Sequence, residues 1–198
     1  EQRAGSAQLR GAETKESEFI EKAGADYTKA LNYFNNSLEL TRAQNDPSGQ
    51  MRGLLNLIQL YYRPKNSKLP DNANQAEQAL SLLERLPDSA NKVYAAIGLA
   101  ELEQPVSVRN STSFQTQCPP RKLEDSQAEK LLQKSVSIAR SIQDSRSESF
   151  ALGKLGHLYE CRKDYDKALV FTQQASLAAD QNIRAKDSLY LWEWQAGR

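Results

Sequence analysis

Apolar residues recur every three or four positions along most of this chain, which is the period of a helix with one buried face. Strand-like alternation of apolar and polar residues is absent from the sequence. The pattern therefore predicts an all-α fold. The predicted helices cover residues 18–44, 51–61, 76–86, 93–102, 128–142, 150–159, 165–179 and 188–198.

Turns and loops between these helices are marked by prolines and other helix-breaking residues. The segment 45–48 (Asn-Asp-Pro-Ser) ends one helix and caps the next, and the segment 87–89 (Pro-Asp-Ser) marks a second tight turn. Pro64 ends a helix before a polar loop. The longest insertion lies between Val106 and Arg121, where Ser, Thr, Asn and Gln predominate and a helix is unfavourable.

Small residues open every second predicted helix, which indicates an internal repeat. They are Ala30, Ala79, Ala128 and Ala168, spaced about fifty, fifty and forty residues apart. Four positions later a large apolar residue recurs in three copies, whereas Thr172 stands there in the fourth. The extra length falls in polar loops, where insertions cost little because closure entropy grows slowly with loop length. The spacing predicts an irregular array of helix pairs.

One window of the chain resembles the tetratricopeptide repeat. Its motif residues are Leu152, Leu155, Gly156, Tyr159, Ala168 and Ala175, at the spacing of that two-helix unit. Gly156 stands where the two helices cross closely, and Ala100 fills the same slot in an earlier copy, whereas Ile58 departs from the rule. The resemblance implies a right-handed superhelix of antiparallel helix pairs with irregular repeats and long loop insertions.

The C-terminal part of the chain carries a narrower resemblance. The segments 147–160 (SESFALGKLGHLYE) and 189–198 (LYLWEWQAGR) are similar to tetratricopeptide arrays that precede CHAT domains in cyanobacterial proteins. The likeness covers about half the chain, from the 120s onward. CHAT domains are caspase-like cysteine peptidases or their inactive relatives, and this sequence does not contain one. The resemblance implies a bacterial sensing or docking module for a C-terminal effector domain.

The helical repeats define the predicted domain. From residue 13 to 198 we predict one tetratricopeptide-like solenoid domain, because the helix pairs recur along this range, although irregularly. Residues 1–12 carry two glycines and no apolar periodicity, which predicts a loose N-terminal leader. The chain begins with Glu1 rather than Met and stops at Arg198 within a predicted helix, so we interpret it as a fragment of a longer protein.

Charge and hydrophobicity narrow the class of partner. The chain has 26 Lys+Arg and 25 Asp+Glu, so its net charge of +1 creates no long-range field for phosphate backbones or anionic lipid. No apolar run approaches the roughly 20 residues that cross a bilayer. We therefore expect neither nucleic acid nor a membrane as partner. The predicted partner is a protein or peptide, including an effector domain of the same polypeptide.

In a tetratricopeptide array the first helix of each pair lines a concave wall that holds a peptide or a partner helix. The partner-binding residues predicted on this wall are Arg52, Gln59, Tyr62, Arg63, Glu101, His157 and Glu160. This wall mixes positive and negative charges, unlike the basic clamp with which some such arrays bind a C-terminal carboxylate. An extended internal segment or intramolecular docking is therefore the expected ligand.

His157 and Cys161 raise an enzymatic alternative. They lie four residues apart and so share a helix face, as a metal site or a thiol–histidine pair would. Two ligands do not make a zinc site, and the chain has a single histidine. We therefore predict no catalytic residue, no metal and no cofactor. A helical-repeat RNA binder is the second alternative, which the near-neutral charge disfavours.

The chain has only two cysteines, too few for a disulfide framework. Cys118 and Cys161 both follow first helices of adjacent repeats, so a disulfide between them is geometrically feasible. Such a bond would indicate export, whereas the cytoplasm would keep both thiols reduced. The sequence leaves the compartment open.

Overall fold

The computed structural model describes residues 22, 25–61, 73–102, 118–121, 123–183 and 185–197. These residues form helices and the turns between them, and they contain no β-strand. The prediction of an all-α chain is confirmed. The predicted leader, residues 1–12, lies outside the described residues.

The helices follow the predicted apolar stripes. In chain order they are α1 (25–43), α2 (Pro47–Tyr61), α3 (Ala73–Arg85), α4 (Ala90–Ala100), α5 (Asp125–Ser141), α6 (Ser145–Cys161), α7 (Tyr165–Asp180) and α8 (Leu189–Ala196). A short 3-10 helix, Lys186–Ser188, leads into α8. Among the described helices, none combines the length and the apolar character that spanning a bilayer requires.

Three of the turns between helices share one backbone conformation. The residues Asn45, Gln143 and Lys163 have φ angles of 52, 56 and 62°, and each is followed by an aspartate. The aspartate N–H bonds back to the carbonyl five residues earlier, as Asp164 does to Tyr159 at 3.0 Å. Its side chain then caps the next helix, since the Asp164 carboxylate accepts from the Lys167 N–H. The same local chemistry thus reverses the chain at each of these points.

From α2 to α8 each helix packs against its neighbours in the chain, and α4 also packs between α2 and α6. The contact lies between α2 and α3, α3 and α4, α4 and α5, α5 and α6, α6 and α7, and α7 and α8, together with α2 and α4, and α4 and α6. Within the described residues, no comparable contact joins α2 to α6, α7 or α8. Helices α2, α4 and α6 therefore form one layer, and α3 and α5 pack against the junctions in that layer.

Two apolar clusters stabilise this arrangement, and α4 belongs to both. Ala96 and Leu99 of α4 join the cluster built from α1, α2 and α3, whereas Val93 and Ile97 join the cluster built from α5 to α8. Burying an aliphatic side chain of this size contributes about 1.5–3 kcal/mol. The central helix therefore connects the two halves of the molecule through both clusters.

The motif glycine Gly156 lies at a close helix crossing, as its position in the repeat predicts. A Cβ atom there would lie 3.0 Å from the Ala168 carbonyl oxygen and 2.5 Å from Thr172 Oγ1, both on α7. Thr172, which departs from the apolar pattern, is buried, and its hydroxyl donates to the Ala168 carbonyl at 2.7 Å. Its polar atom is thus satisfied without water.

Candidate functional site

The candidate site is the side of α2, α4 and α6 that is left partly exposed, which we call the first-helix face. On α4 it comprises Asn91, Tyr94, Gly98 and Glu101, spaced three or four residues apart and exposed or half-exposed. On α6 it comprises Arg146, Phe150, Lys154, His157 and Cys161, and on α2 it includes Arg52 and Leu55. The face thus crosses three neighbouring helices.

An ion pair crosses the first-helix face between α4 and α6. Lys154 Nζ lies 2.7 Å from Glu101 Oε1, and the two side chains are 31% and 32% exposed. A pair with this exposure contributes about 1 kcal/mol or less. Glu101 was predicted for this face, whereas Lys154 was not. Lys154 could have been found from its spacing, because it precedes the predicted residue His157 by three positions.

Aromatic side chains continue the face toward α8. The rings of Tyr94 and Phe150 meet edge to face at 6.0 Å, and those of Phe150 and Trp192 at 5.6 Å. The Arg146 guanidinium lies over the Phe150 ring at 5.1 Å and donates to the Tyr94 hydroxyl at 3.0 Å. Burial raises the pKa of Tyr94, so this hydroxyl stays protonated at neutral pH.

Arg146 also reaches across to the turn before α8. Its Nη2 donates to Asp187 Oδ2 at 2.8 Å, and this bond raises the pKa of the Arg146 guanidinium and lowers that of the Asp187 carboxyl. The arginine is therefore fully engaged by the protein. It stabilises the aromatic row and offers little free charge to a ligand.

A groove of about 170 Å³ lies on the first-helix face between α2 and α4. Its lining residues are Ser48, Met51, Arg52, Leu55, Leu86, Asn91, Tyr94 and Ala95. Arg52 is the one charged residue of this lining, and it forms no ion pair with any described residue. The groove thus combines an apolar floor with one available cation.

The structure brings His157, Glu160 and Cys161 together at the end of α6. His157 Nδ1 lies 3.2 Å from Glu160 Oε2, and His157 Nε2 lies 3.7 Å from Cys161 Sγ. Cys161 is joined to Cys118 by a disulfide whose Cα atoms are 5.4 Å apart. In this state the Cys161 sulfur is not a free nucleophile. In the part of the chain described, no cluster of three or more His, Cys, Asp or Glu side chains could hold a metal ion.

The remaining predicted residues fall into two groups. Arg52 is exposed on the first-helix face. Tyr62 and Arg63 lie outside the described residues, and the same holds for the side chain of Gln59. The structure therefore places four of the predicted side chains, Arg52, Glu101, His157 and Glu160, on or beside one face.

No protein-family model matches the chain, and a search of curated proteins finds no match to it.

Proposed function

We propose that the chain is a non-catalytic protein-interaction scaffold, built as a tetratricopeptide-like right-handed superhelix. The order of helix contacts supports the architecture, because α4 meets its own second helix α5, the preceding second helix α3 and the next first helix α6. The close approach at Gly156 also supports it. Both features are typical of stacked helix pairs.

The observation that carries the binding proposal is the continuity of the first-helix face. Partly exposed side chains of α2, α4 and α6 follow one another across a layer about three helices wide. Helices packed side by side are about 8–10 Å apart, so this layer spans the length of a short extended peptide. An extended segment laid across it contacts all three helices.

The groove at Arg52 defines the chemistry of the ligand. Met51, Leu55 and Tyr94 provide apolar contacts, and Arg52, which pairs with no carboxylate among the described residues, favours an acidic side chain beside the apolar one. Further along the face, Glu101 and Lys154 neutralise each other. The proposed ligand is thus an extended segment with an apolar anchor and a neighbouring carboxylate. The segment can belong to a separate protein or to an attached effector domain of the CHAT type.

Selection from a random-peptide display library tests this proposal. The selected peptides should bind with an affinity that falls at least tenfold in the Arg52→Ala and Tyr94→Ala variants, since a central anchor contributes more than 1 kcal/mol. Lys130→Ala is the matched control, because Lys130 is an exposed cation on α5, away from the face. Fluorescence anisotropy measures each Kd. Equal losses in all three variants would contradict the assignment of the face.

A single-stranded RNA oligonucleotide is the probe for the RNA-binding alternative. The scaffold proposal predicts no binding tighter than nonspecific affinity at physiological salt, because the chain has almost no net charge. Tight binding that weakens steeply as the salt concentration rises would favour the RNA binder instead.

A further inference from the structure

We propose that the Cys118–Cys161 disulfide is a thiol–disulfide exchange site for small-molecule thiols, in which His157 assists the departure of the Cys161 sulfur. This inference rests on the geometry at the end of α6 and is independent of the proposed peptide binding. Both cysteines are partly exposed, so a small thiol can reach the bond.

The position of Cys161 explains why a neighbouring acid is needed. Cys161 is the last residue of α6, where the unpaired carbonyls and the helix dipole disfavour a negative sulfur. His157 Nε2 faces this sulfur at 3.7 Å, while Glu160 holds the other ring nitrogen at 3.2 Å. When the ring is an imidazolium, Nδ1–H donates to Glu160 and Nε2–H faces the sulfur, so the Nε2 proton can pass to the sulfur as the disulfide breaks.

The cation next to Cys161 in the sequence, Arg162, is held by carboxylates of another helix. Arg162 follows Cys161 directly, but its guanidinium is engaged by Asp125 at 3.2 Å and by Glu129 at 2.6 Å, both on α5. Glu160 is an acceptor when ionised and fixes the ring orientation. Glu160 is thus a positioning residue, and His157 is the group that acts on the sulfur.

The exchange reaction balances with two molecules of the small thiol. The first thiolate attacks the Cys118 sulfur and forms a mixed disulfide there, while the S–S electron pair leaves on Cys161, which takes a proton from His157. The second thiolate attacks the small-molecule sulfur of the mixed disulfide and forms the small-molecule disulfide, and the released Cys118 thiolate takes a proton from solvent. Two small thiols are oxidised, the protein disulfide is reduced to two thiols, and His157 regains its proton from solvent.

The rate of reduction by glutathione at pH 7 tests the proposal. His157→Phe keeps the ring volume but removes both nitrogens, and it should slow reduction about tenfold, because a poorer leaving group slows exchange. Glu160→Gln should slow it by a smaller factor. Glu193→Gln, an exposed acid on α8, is the control and should leave the rate unchanged. Circular dichroism verifies that each variant is folded.

Two further measurements identify the sulfur that leaves. Peptide mapping of the trapped intermediate should find glutathione on Cys118, and finding it mainly on Cys161 would overturn the proposal. In Cys118→Ser the free Cys161 thiol should react with iodoacetamide faster than in the double variant that also carries His157→Phe. Equal alkylation rates, or equal reduction rates in wild type and His157→Phe, would likewise overturn it.

Discussion

The helices before the long insertion, α1 to α4, and those after it, α5 to α8, differ in how polar groups connect them. In the second region polar side chains bridge helices far apart in sequence: Trp192 Nε1 donates to Ser149 Oγ at 2.7 Å, and Gln195 Nε2 donates to Thr172 Oγ1 at 2.8 Å. Among the described residues of the first region, the corresponding bonds stay near turns, as Lys92 to the Leu86 carbonyl at 2.7 Å. Apolar burial is common to both regions.

This difference follows from how closely the helices approach. Gly153 leaves the space that the Trp192 indole fills, since a Cβ atom there would collide with the ring. Gly156 likewise brings α6 against α7. In the first region, a Cβ atom at Gly98 would lie 3.7 Å from the Leu55 side chain and one at Gly53 would lie 3.5 Å from Leu38, both ordinary contact distances. The crowded glycine of that region, Gly49, lies beside the turn between α1 and α2 rather than at a helix crossing. Small residues at the crossings therefore allow buried polar bonds between helices in the second region.

The largest expected effect comes from removing the buried tryptophan. Trp192 is 3% exposed, and Trp192→Ala removes both its apolar burial and its bond to Ser149. We expect a loss of about 4–5 kcal/mol in the free energy that docks α8. Hydrogen exchange of the α8 amides measures this loss. Trp194→Ala is the control, because Trp194 is 63% exposed, and it should leave protection intact.

The next largest expected loss of stability comes from removing the disulfide. Cys118 and Cys161 are separated by 43 residues, and a link over that length stabilises by about 4 kcal/mol in the chain-entropy account. A double variant, Cys118→Ser with Cys161→Ser, should lose that amount in urea unfolding. In hydrogen exchange, the protection of the α2 and α3 amides should change less than that of the α5 and α6 amides. Uniform loss over all helices would show that the two regions unfold as one unit.

Two glycine substitutions, one in each region, should change the stability of the chain in opposite directions. Gly156→Ala should destabilise the chain by about 2 kcal/mol, because the new methyl group crowds Thr172 and the Ala168 carbonyl. Gly98→Ala should stabilise it by up to about 1 kcal/mol, since alanine favours the helix and the surrounding space is ordinary van der Waals distance. Thermal melting of both variants measures the difference. The same sign for both would contradict the close crossing at α6 and α7.

The smallest expected effect is a loss of folding stability at low pH. The Tyr159 hydroxyl, and then Arg162, hold the pKa of Glu129 below its usual value, and this bond tethers α5 to α6. A lowered folded-state pKa means that the stabilisation is present above about pH 4.3 and is lost as pH falls below it. The loss should be about 1 kcal/mol at most. Melting temperatures between pH 6 and pH 3 should therefore fall less in Glu129→Gln than in wild type.

Glu39→Gln is the control for the acid effect. Glu39 is exposed on α1, in the first region, and forms no ion pair with a described residue. Its substitution should leave the pH dependence of melting unchanged. If Glu39→Gln altered the acid slope as much as Glu129→Gln, the tether between α5 and α6 would not be its source.

The helix positions were predictable because the apolar period of three to four residues records which face each helix buries. The close helix crossing at Gly156 was predicted from the resemblance of its window to the tetratricopeptide motif, not from the apolar period. The ion pair of Glu101 with Lys154 was not, because it depends on how α4 is rotated against α6. The bond between Arg146 and Tyr94 was missed for the same reason, and both are set by tertiary packing.

The turns also differ in whether local sequence alone predicts them. The cap at Asp46 was predicted because Pro47 follows it. Gln143 and Lys163 adopt positive φ although neither is a glycine, so the sequence did not predict these turns from a glycine. Their conformation is fixed by the aspartates that follow and by helix packing on both sides. The disulfide was only one of the alternatives open from sequence, because the polar sequence before Cys118 has no apolar period from which to place that cysteine.

Hydrogen exchange with a bound, library-selected peptide tests the central claim most directly. If the first-helix face binds the peptide, protection should increase at α2, α4 and α6 and remain unchanged at α3 and α5, which pack behind them. Added protection confined to α3, α5 and α7 would contradict the account, and so would a peptide that protects no helix of the first layer.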